Sequence, residues 1–272
     1  MKKIIKYLFL LTGGSFILAS CNDFLDREPL DSVTPDNFFF TENDLAAYAV
    51  KHYNFTTHEG FNAGIWRNDN ATDNQAATDY DKKWIPGQWK VPEAYDNPAS
   101  NDPWYFSAIR EANYFLETVV PRFEKGEIEG SETNIKHYIG EMYFLRAKNY
   151  LSKLETFGDF PIIKNTLPDE SASLIQASKG DPRHKVARFI LEDLDLAIGL
   201  LTNTISGGKN RITQNAALLL KSRAALYEAS WLTYHKGTAL VPGGPGWPGK
   251  AEDIADFNID TEIAFFLKEA KA

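Results

Sequence analysis

The chain has 272 residues, 43% of them hydrophobic, which is enough to bury a core. Its 37 acidic residues outnumber its 29 basic ones and give a formal net charge of −8, which argues against a nucleic-acid partner because such binding requires clustered lysine and arginine. With one cysteine the chain can form no internal disulfide, so its stability depends on hydrophobic packing.

The first 20 residues have the organisation of a bacterial secretory signal. A lysine-rich start precedes an apolar run over residues 7–18, which is shorter than the ~18 apolar residues of a membrane-spanning helix. The run ends in Leu-Ala-Ser-Cys, which resembles the lipobox of bacterial lipoproteins. We therefore predict a lipoprotein signal peptide over residues 1–20 and acylation of Cys21, which would anchor the chain to a membrane. An ordinary signal peptide beside an unmodified cysteine is the alternative.

Residues 21–40 are expected to form a lipidated tether, because they mix acidic side chains and two prolines without a helical period. Three phenylalanines at 38–40 close this segment and are expected to dock on the folded body. Thr41 is followed three residues later by Asp44, which is the spacing of a capping box and predicts the start of the first helix.

Apolar residues at helical spacing predict five further helices, which we expect to begin near residues 102, 133, 181, 213 and 261. The second of these five would end at Gly158. Alanine and leucine side chains of the fourth would form an apolar seam for close helix contact; they are Ala216, Ala217, Leu219, Leu220, Ala224 and Leu226. Apart from a short extended piece at 161–163, no segment shows convincing strand alternation. The prediction is an all-α fold of tetratricopeptide-like helical hairpins with long irregular surface loops.

Four side chains within the predicted helices are expected to be structural. Trp104 would lie in the first turn of a helix that has the core period. Glu141 and Arg146 are five residues apart on one helix and thus on different faces, which favours structural pairs over a shared site. Asn113, on an apolar face, would be a polar group satisfied within the core.

Two segments do not fit the helical pattern, and both exceed the ~12–15 residues beyond which a loop in a compact domain is usually functional or disordered. Residues 57–101 contain three tryptophans and two tyrosines, an aromatic content that argues against disorder. Residues 235–258 contain the sequence PGGPGWPGK, which is incompatible with a helix. Both loops are therefore candidate sites.

Several motifs of this chain are similar to those of the SusD/RagB family of lipoproteins. One is the lipobox with the following Cys-Asn-Asp-Phe-Leu-Asp sequence and Pro29. The others are Trp104-Tyr105 with Ile109 and Asn113, Gly140-Glu141, Phe144-Leu145-Arg146-Ala147, Phe157-Gly158-Asp159-Phe160-Pro161, and the helix from Thr213 to Tyr227. The resemblance spans nearly the whole chain.

The resemblance implies an all-α, tetratricopeptide-like protein on the bacterial outer-membrane surface. It also implies that the protein captures a glycan or a peptide and sits as a lid on a TonB-dependent transporter of the SusC type. Family members are substantially longer, so residues 41–272 would correspond to the N-terminal helical domain of the family, and we expect this domain to be truncated.

A saccharide site needs flat aromatic faces beside hydrogen-bonding side chains, because a sugar ring has an apolar face and a rim of hydroxyls. The predicted ligand-binding residues are Trp66, Arg67, Asp73, Asn74, Asp81, Trp84, Trp89 and Tyr95 in the first loop and Trp247 in the second. Trp84, Trp89 and Asp81 are preferred, since the resemblance implies that loops at this place contribute to the ligand face. The alternative is that these aromatic side chains hold the loop against the helical body.

Motifs for catalysis or metal binding are not found in the sequence. It contains no Gly-x-Ser-x-Gly and no His-Glu-x-x-His, and its five histidines are scattered. A glycosidase would need two carboxylates across a cleft, and spacing along a chain with 37 acids cannot select such a pair. We predict no catalytic residue, metal or cofactor, and a protein that binds a nutrient. A protein-interaction scaffold on the outer membrane is the alternative.

Overall fold

Helices account for most of the structure that surrounds the candidate site. The computed structural model describes residues 38–53, 55, 104–204 and 210–271. The elements below all belong to the unit formed by residues 39–272. The predicted signal peptide with Cys21, the tether up to residue 37 and the whole first long loop lie outside the described residues.

The described residues form seven α-helices and a short 3-10 turn at Ala251–Ile254. The helices are α1 (Glu42–Lys51), α2 (Ser107–Glu124), α3 (Glu132–Phe157), α4 (Ser171–Ala177), α5 (Arg183–Leu200), α6 (Gln214–Tyr234) and α7 (Ile259–Glu269). Within the same ranges, β-structure is limited to two isolated bridges. The longest helix, α3, packs against α1, α2 and α5, and α6 packs between α5 and α7. The predicted all-α fold is confirmed.

Phe39 anchors the chain immediately before α1. Its side chain is fully buried, and its ring makes edge contacts with Tyr48 and Phe115 at centroid distances of 5.0 and 5.3 Å. Its φ of 71° lies in the left-handed region that a bulky residue rarely occupies, so these contacts must offset backbone strain. The predicted docking is confirmed for Phe39. The predicted capping box is also present, since Thr41 Oγ1 accepts the Asp44 N–H and the Asp44 carboxylate accepts the Thr41 N–H.

Helix α1 also completes the N-terminal end of α3. The side chain of Ser131 does not cap α3; instead, its N–H donates to Glu42 Oε2 at 2.6 Å, and Asn134 Nδ2 donates to the same oxygen at 3.4 Å. The chain passes so close to Glu42 at Gly130 that a Cβ atom there would lie 2.7 Å from the Glu42 side chain. A carboxylate at this position is favourable, because the N-terminus of a helix carries a partial positive charge.

The predicted end of α3 is correct and the predicted start of α2 is not. Helix α3 ends at Gly158, whose φ of 78° suits a glycine at a helix terminus. Helix α2 begins at Ser107, later than the predicted start near residue 102, which itself lies outside the described residues. Trp104 therefore precedes α2 and is 40% exposed, so its placement in the first turn of the helix is wrong.

Buried polar side chains hold α3 against its neighbours. Arg146 donates from Nε and Nη2 to the two carboxylate oxygens of Asp193 on α5, both at 2.7 Å, and from Nη1 to Asn113 Oδ1 on α2 at 2.9 Å. Asn113 in turn donates to the carbonyl oxygen of Ile163 at 2.8 Å, which fixes the extended segment after α3. The predictions that Asn113 is satisfied in the core and that Arg146 forms a structural pair are confirmed.

Glu141, also on α3, belongs to a second network. Arg211 donates to its two carboxylate oxygens at 2.9 and 2.6 Å, and the Tyr53 hydroxyl donates to Oε1 at 2.7 Å. Glu141 is fully buried, so these bonds satisfy a charge that would otherwise be costly to desolvate. Its predicted structural role is confirmed.

Helix α6 packs through small side chains, which include Ala217 and Ala224 of the predicted seam. Thr213 caps it as predicted, accepting the Ala216 N–H at 3.3 Å. The buried residues of α6 are Ala217, Lys221, Ala224, Ala225, Glu228, Ala229 and Leu232. Leu219 and Leu226, which the pattern assigns to the seam, are instead 72% and 52% exposed. Alanines permit a closer approach of α5 and α7, so they take most of the contact positions, whereas Leu219 and Leu226 do not.

The sequence pattern does not predict α4 or the 3-10 turn at Ala251–Ile254. Neither buries a residue, so neither carries the apolar period by which helices are found. Helix α7 begins two residues before the predicted Thr261, because the Asn258 side chain caps it by accepting the Thr261 N–H at 3.0 Å. In the part of the chain that the structure describes, the helices lack the combination of length and apolar character needed to cross a membrane.

Candidate ligand-binding site

A cleft of about 500 Å³ lies at the C-terminal end of α3, beside the start of α5, the end of α6 and the glycine-rich loop that follows α6. Its aromatic lining residues are Trp104, Phe157, Trp231 and Trp247. Its polar and charged lining residues are Glu155, Thr156, Asp159 and Arg183. Such a mixture of flat apolar faces and hydrogen-bonding groups is suited to a sugar ring.

Trp247 is held in the cleft by hydrogen bonds and by close backbone packing. Its Nε1–H donates to Asp159 Oδ2 at 2.7 Å, while Asp159 Oδ1 accepts the Arg183 backbone N–H at 2.8 Å. The chain then packs so closely on the indole at Gly249 that a Cβ atom there would lie 2.1 Å from the ring. Asp159 thus connects the glycine-rich loop to the start of α5 and fixes the orientation of Trp247.

Arg183 supports the second tryptophan of the cleft. Its guanidinium lies 4.3 Å from the centre of the Trp231 ring and donates to both carboxylate oxygens of Glu228, with the shortest bond at 2.7 Å. Burial raises the pKa of Glu228, while Arg183 acts in the opposite direction. The indole N–H of Trp231 donates to the Leu240 carbonyl at 3.0 Å. The positive charge of Arg183 is therefore paired with a buried carboxylate beneath the cleft.

Trp104 lies between this cleft and a second cavity of about 460 Å³, and it lines both. Its ring centre is 4.1 Å from that of Phe157 and 5.9 Å from that of Phe160. The other residues of the second cavity are Phe106, Ile109, Arg110, Asn113, Pro161, Ile163, Asn165, Leu167, Leu174 and Ser178. The second cavity is mostly apolar, whereas the cleft around Trp247 combines aromatic and hydrogen-bonding groups.

Of the predicted ligand-binding residues, the structure describes Trp247 and places it in the cleft. The remaining predicted residues lie outside the described residues, as does Cys21: they are Trp66, Arg67, Asp73, Asn74, Asp81, Trp84, Trp89 and Tyr95. Sequence reasoning missed Trp231, Arg183 and Asp159. Asp159 had one signal, its place in the Phe157–Pro161 motif, but spacing along the chain does not show that it contacts a residue 88 positions away.

Titratable side chains do not gather into a metal site in the part of the chain that the structure describes. No group of three or more histidine, cysteine, aspartate or glutamate side chains there could hold an ion. The cleft itself offers two carboxylates, one paired guanidinium and a hydroxyl. These groups can hydrogen-bond a polar ligand that stacks on the tryptophans.

Comparison with known proteins decides the family. Residues 23–226, three quarters of the chain, match a family described as starch-binding and associating with the outer membrane. The chain belongs to the SusD-like family. A SusD-like protein of Formosa agariphila is 27% identical over 258 residues, which cover 92% of this chain and 45% of that protein. A second SusD-like protein of the same organism is 22% identical, covering all of this chain and 52% of that protein.

The fold agrees with the family assignment. A crystal structure of a SusD-like protein from Bacteroides fragilis superposes with a TM-score of 0.53 at 25% identity, covering 75% of this chain and 38% of that chain. This SusD-like chain thus spans about half the length of the curated relatives that it matches. The tetratricopeptide-like helical architecture is the feature that this chain shares with the superposed structure.

Proposed function

We propose that this SusD-like protein is a cell-surface lipoprotein that binds an oligosaccharide or polysaccharide and delivers it to a SusC-type TonB-dependent transporter of the outer membrane. The observation that carries the proposal is the cleft in which Trp247, Trp231 and Trp104 lie together with Asp159. Affinity would come from stacking and hydrogen bonds, with no bond broken in the ligand.

The geometry of the cleft supports a saccharide ligand. Asp159 holds Trp247 in the glycine-rich loop and Arg183 lies against Trp231 near the end of α6, so the aromatic faces are oriented before the ligand arrives. A rigid, preformed site avoids the entropic cost of ordering side chains on binding. The residues predicted in the first loop, above all Asp81, Trp84 and Trp89, would add further contacts to the same ligand.

The family and the N-terminal sequence support the proposed location on the outer membrane. The matching family is described as associating with the outer membrane, and acylation of Cys21 would provide the anchor. A lipoprotein held in this way and facing outward could retain a glycan beside a transporter without spanning the membrane itself. The transporter partner and the transfer of the glycan to it are part of the proposal.

Binding to a glycan panel tests the proposal. Soluble starch, laminarin, xyloglucan and mannan are assayed by affinity electrophoresis and calorimetry, with a casein digest as the peptide alternative. Trp247→Ala should weaken binding about tenfold, the equivalent of ~1.4 kcal/mol, because it removes a stacking face. Tyr234→Ala is the matched control, since Tyr234 is 84% exposed and does not line the cleft. Failure to bind any of the four glycans would refute the function, and full binding by Trp247→Ala would refute the site.

A protein-interaction scaffold is the second candidate, because Leu219 and Leu226 leave an exposed apolar strip on α6. Replacing Trp84 and Trp89 with alanine discriminates between the two functions. If the protein binds glycans, this double variant loses affinity for soluble glycan. If it is a scaffold, the variant loses a protein partner and its affinity for glycans does not change. Leu219→Ser with Leu226→Ser should affect the scaffold alone.

A further inference from the structure

The charged groups that line the cleft are mostly acidic. They are Glu155, Asp159 and Arg183 among the described residues. Arg183 forms a bidentate ion pair with both carboxylate oxygens of Glu228, so its charge is already balanced. Two carboxylates therefore line the cleft, and the one cation among its described lining residues is paired with a third carboxylate.

Asp159 is the carboxylate that lies beside Trp247 in the cleft. Its hydrogen-bond donors are the Arg183 backbone N–H and the Trp247 indole N–H, and both are neutral. Neutral donors stabilise a carboxylate without cancelling its charge. A ligand that approaches Trp247 therefore approaches a carboxylate whose hydrogen-bond donors carry no charge.

Glu155 lies on the rim of the cleft, in the last turn of α3. Partial burial raises the pKa of its carboxyl group, and Arg223 is the cation that acts in the opposite direction. An anion bound in the cleft would add a second unfavourable interaction to this carboxylate, because like charges at short range repel. A neutral hydroxyl would instead donate a hydrogen bond to it.

We infer that the cleft selects uncharged saccharides and discriminates against saccharides that carry carboxylate or sulfate groups. The inference rests on the proposed function and names the ligand class of the same site. Sugar hydroxyls can donate to Asp159 and Glu155 while a ring face stacks on Trp247. A uronate in the same position places its charge near two carboxylates and finds Arg183 already paired.

Two unit charges about 4 Å apart in water repel by ~1 kcal/mol, which corresponds to a weakening of binding of about fivefold. The uronate form of a glycan should therefore bind at least about fivefold more weakly than the neutral form at low salt. The difference should shrink as salt is added, because ions screen the repulsion. A cationic binding site would show the opposite dependence on salt.

The test compares pairs of glycans that differ at one carbon. Soluble starch, laminarin, xyloglucan and mannan are each assayed by calorimetry beside the C6-oxidised form, in which CH₂OH groups have become carboxylates. In Glu155→Gln the ratio of neutral to oxidised affinity should move towards one. Glu132→Gln removes the same charge from the other end of α3, about 35 Å away along the helix axis, and should leave the ratio unchanged.

The outcomes separate the inference from the function on which it rests. Preferential binding of neutral glycans, with the ratio reduced by Glu155→Gln alone, supports the inference. Equal or tighter binding of the oxidised forms overturns the inference and leaves the proposed function standing. A neutral preference that Glu155→Gln and Glu132→Gln change equally also overturns it, because net charge and not the cleft would then be responsible. Binding of no glycan in either form refutes both.

Discussion

The buried pair of Arg146 and Asp193 offers the sharpest test of how α3 is held to α5. Both side chains are almost fully buried, and two bonds of 2.7 Å join them. Burial raises the pKa of Asp193, although the Arg146 guanidinium acts in the opposite direction. The cost of desolvating the carboxylate thus opposes the stabilisation that the pairing provides. We predict that the pair contributes little net stability, while either partner alone is costly.

The loss of unfolding free energy expected for each variant follows from the hydrogen bonds that the change removes. Asp193→Leu deprives Arg146 of two charge-assisted hydrogen bonds and leaves its charge buried, which costs about 3–5 kcal/mol. Arg146→Met should cost a similar amount at neutral pH. The double variant leaves no buried charge, but Asn113 Oδ1 and the Lys164 carbonyl oxygen lose a donor, so it should cost about 1–3 kcal/mol.

Urea unfolding at pH 7, followed by circular dichroism, would provide the free energies of all four proteins in this double-mutant cycle. The expected result is a double variant that is more stable than either single variant. Glu132→Gln, which removes a solvent-exposed pair with Lys136 on the same helix, should leave the unfolding curve almost unchanged. A double variant as unstable as the sum of the two single changes would refute the reasoning.

Two further predictions concern the core. Leu145 is buried on α3, so Leu145→Asp should unfold the protein or lower its free energy of unfolding by about 4 kcal/mol or more. Leu219→Asp, on the exposed face of α6, should melt like the parent protein. Equal melting of all three proteins would contradict the core assignment. Burial lowers the pKa of His184 to about 4 from the ordinary 6.5, so the unfolded chain takes up this proton first as pH falls. The contribution of the neutral His184 side chain to the free energy of unfolding is intact above pH 6.5. It is lost as pH falls towards 4, by about 3 kcal/mol in total. His184→Gln should flatten this part of the pH dependence measured by urea unfolding, and an unchanged slope would show that other groups produce it.

Local signals in the sequence were sufficient for the helix ends that depend on neighbouring residues. Thr41 with Asp44 predicts the start of α1, and Gly158 predicts the end of α3, because capping and left-handed termini are decided within a few residues. The buried face of α6 could not be found in the same way. Alanines and leucines stand next to each other there, and the distance between α5, α6 and α7 decides which of them fits the contact.

The candidate site lies beyond local signals for a related reason. Asp159 and Trp247 are 88 residues apart, and Arg183 and Glu228 are 45 apart, so the cleft exists only when α3, α5 and α6 are assembled. A single sequence shows that Trp247 is a candidate by its type and its loop. It does not show which carboxylate holds the indole, or that Trp231 faces a cleft at all.

The contact of Glu42 with the start of α3 makes the longest helix dependent on a residue 89 positions earlier in the chain. The Ser131 N–H reaches the Glu42 carboxylate only when α1 has found its place, so this step in completing the N-terminal end of α3 is a long-range one and should slow folding. It also sets a limit for shortened versions of the protein. A chain trimmed past Glu42 would lose the cap of a helix that it still contains, and the damage would appear at residue 131 rather than at the new terminus.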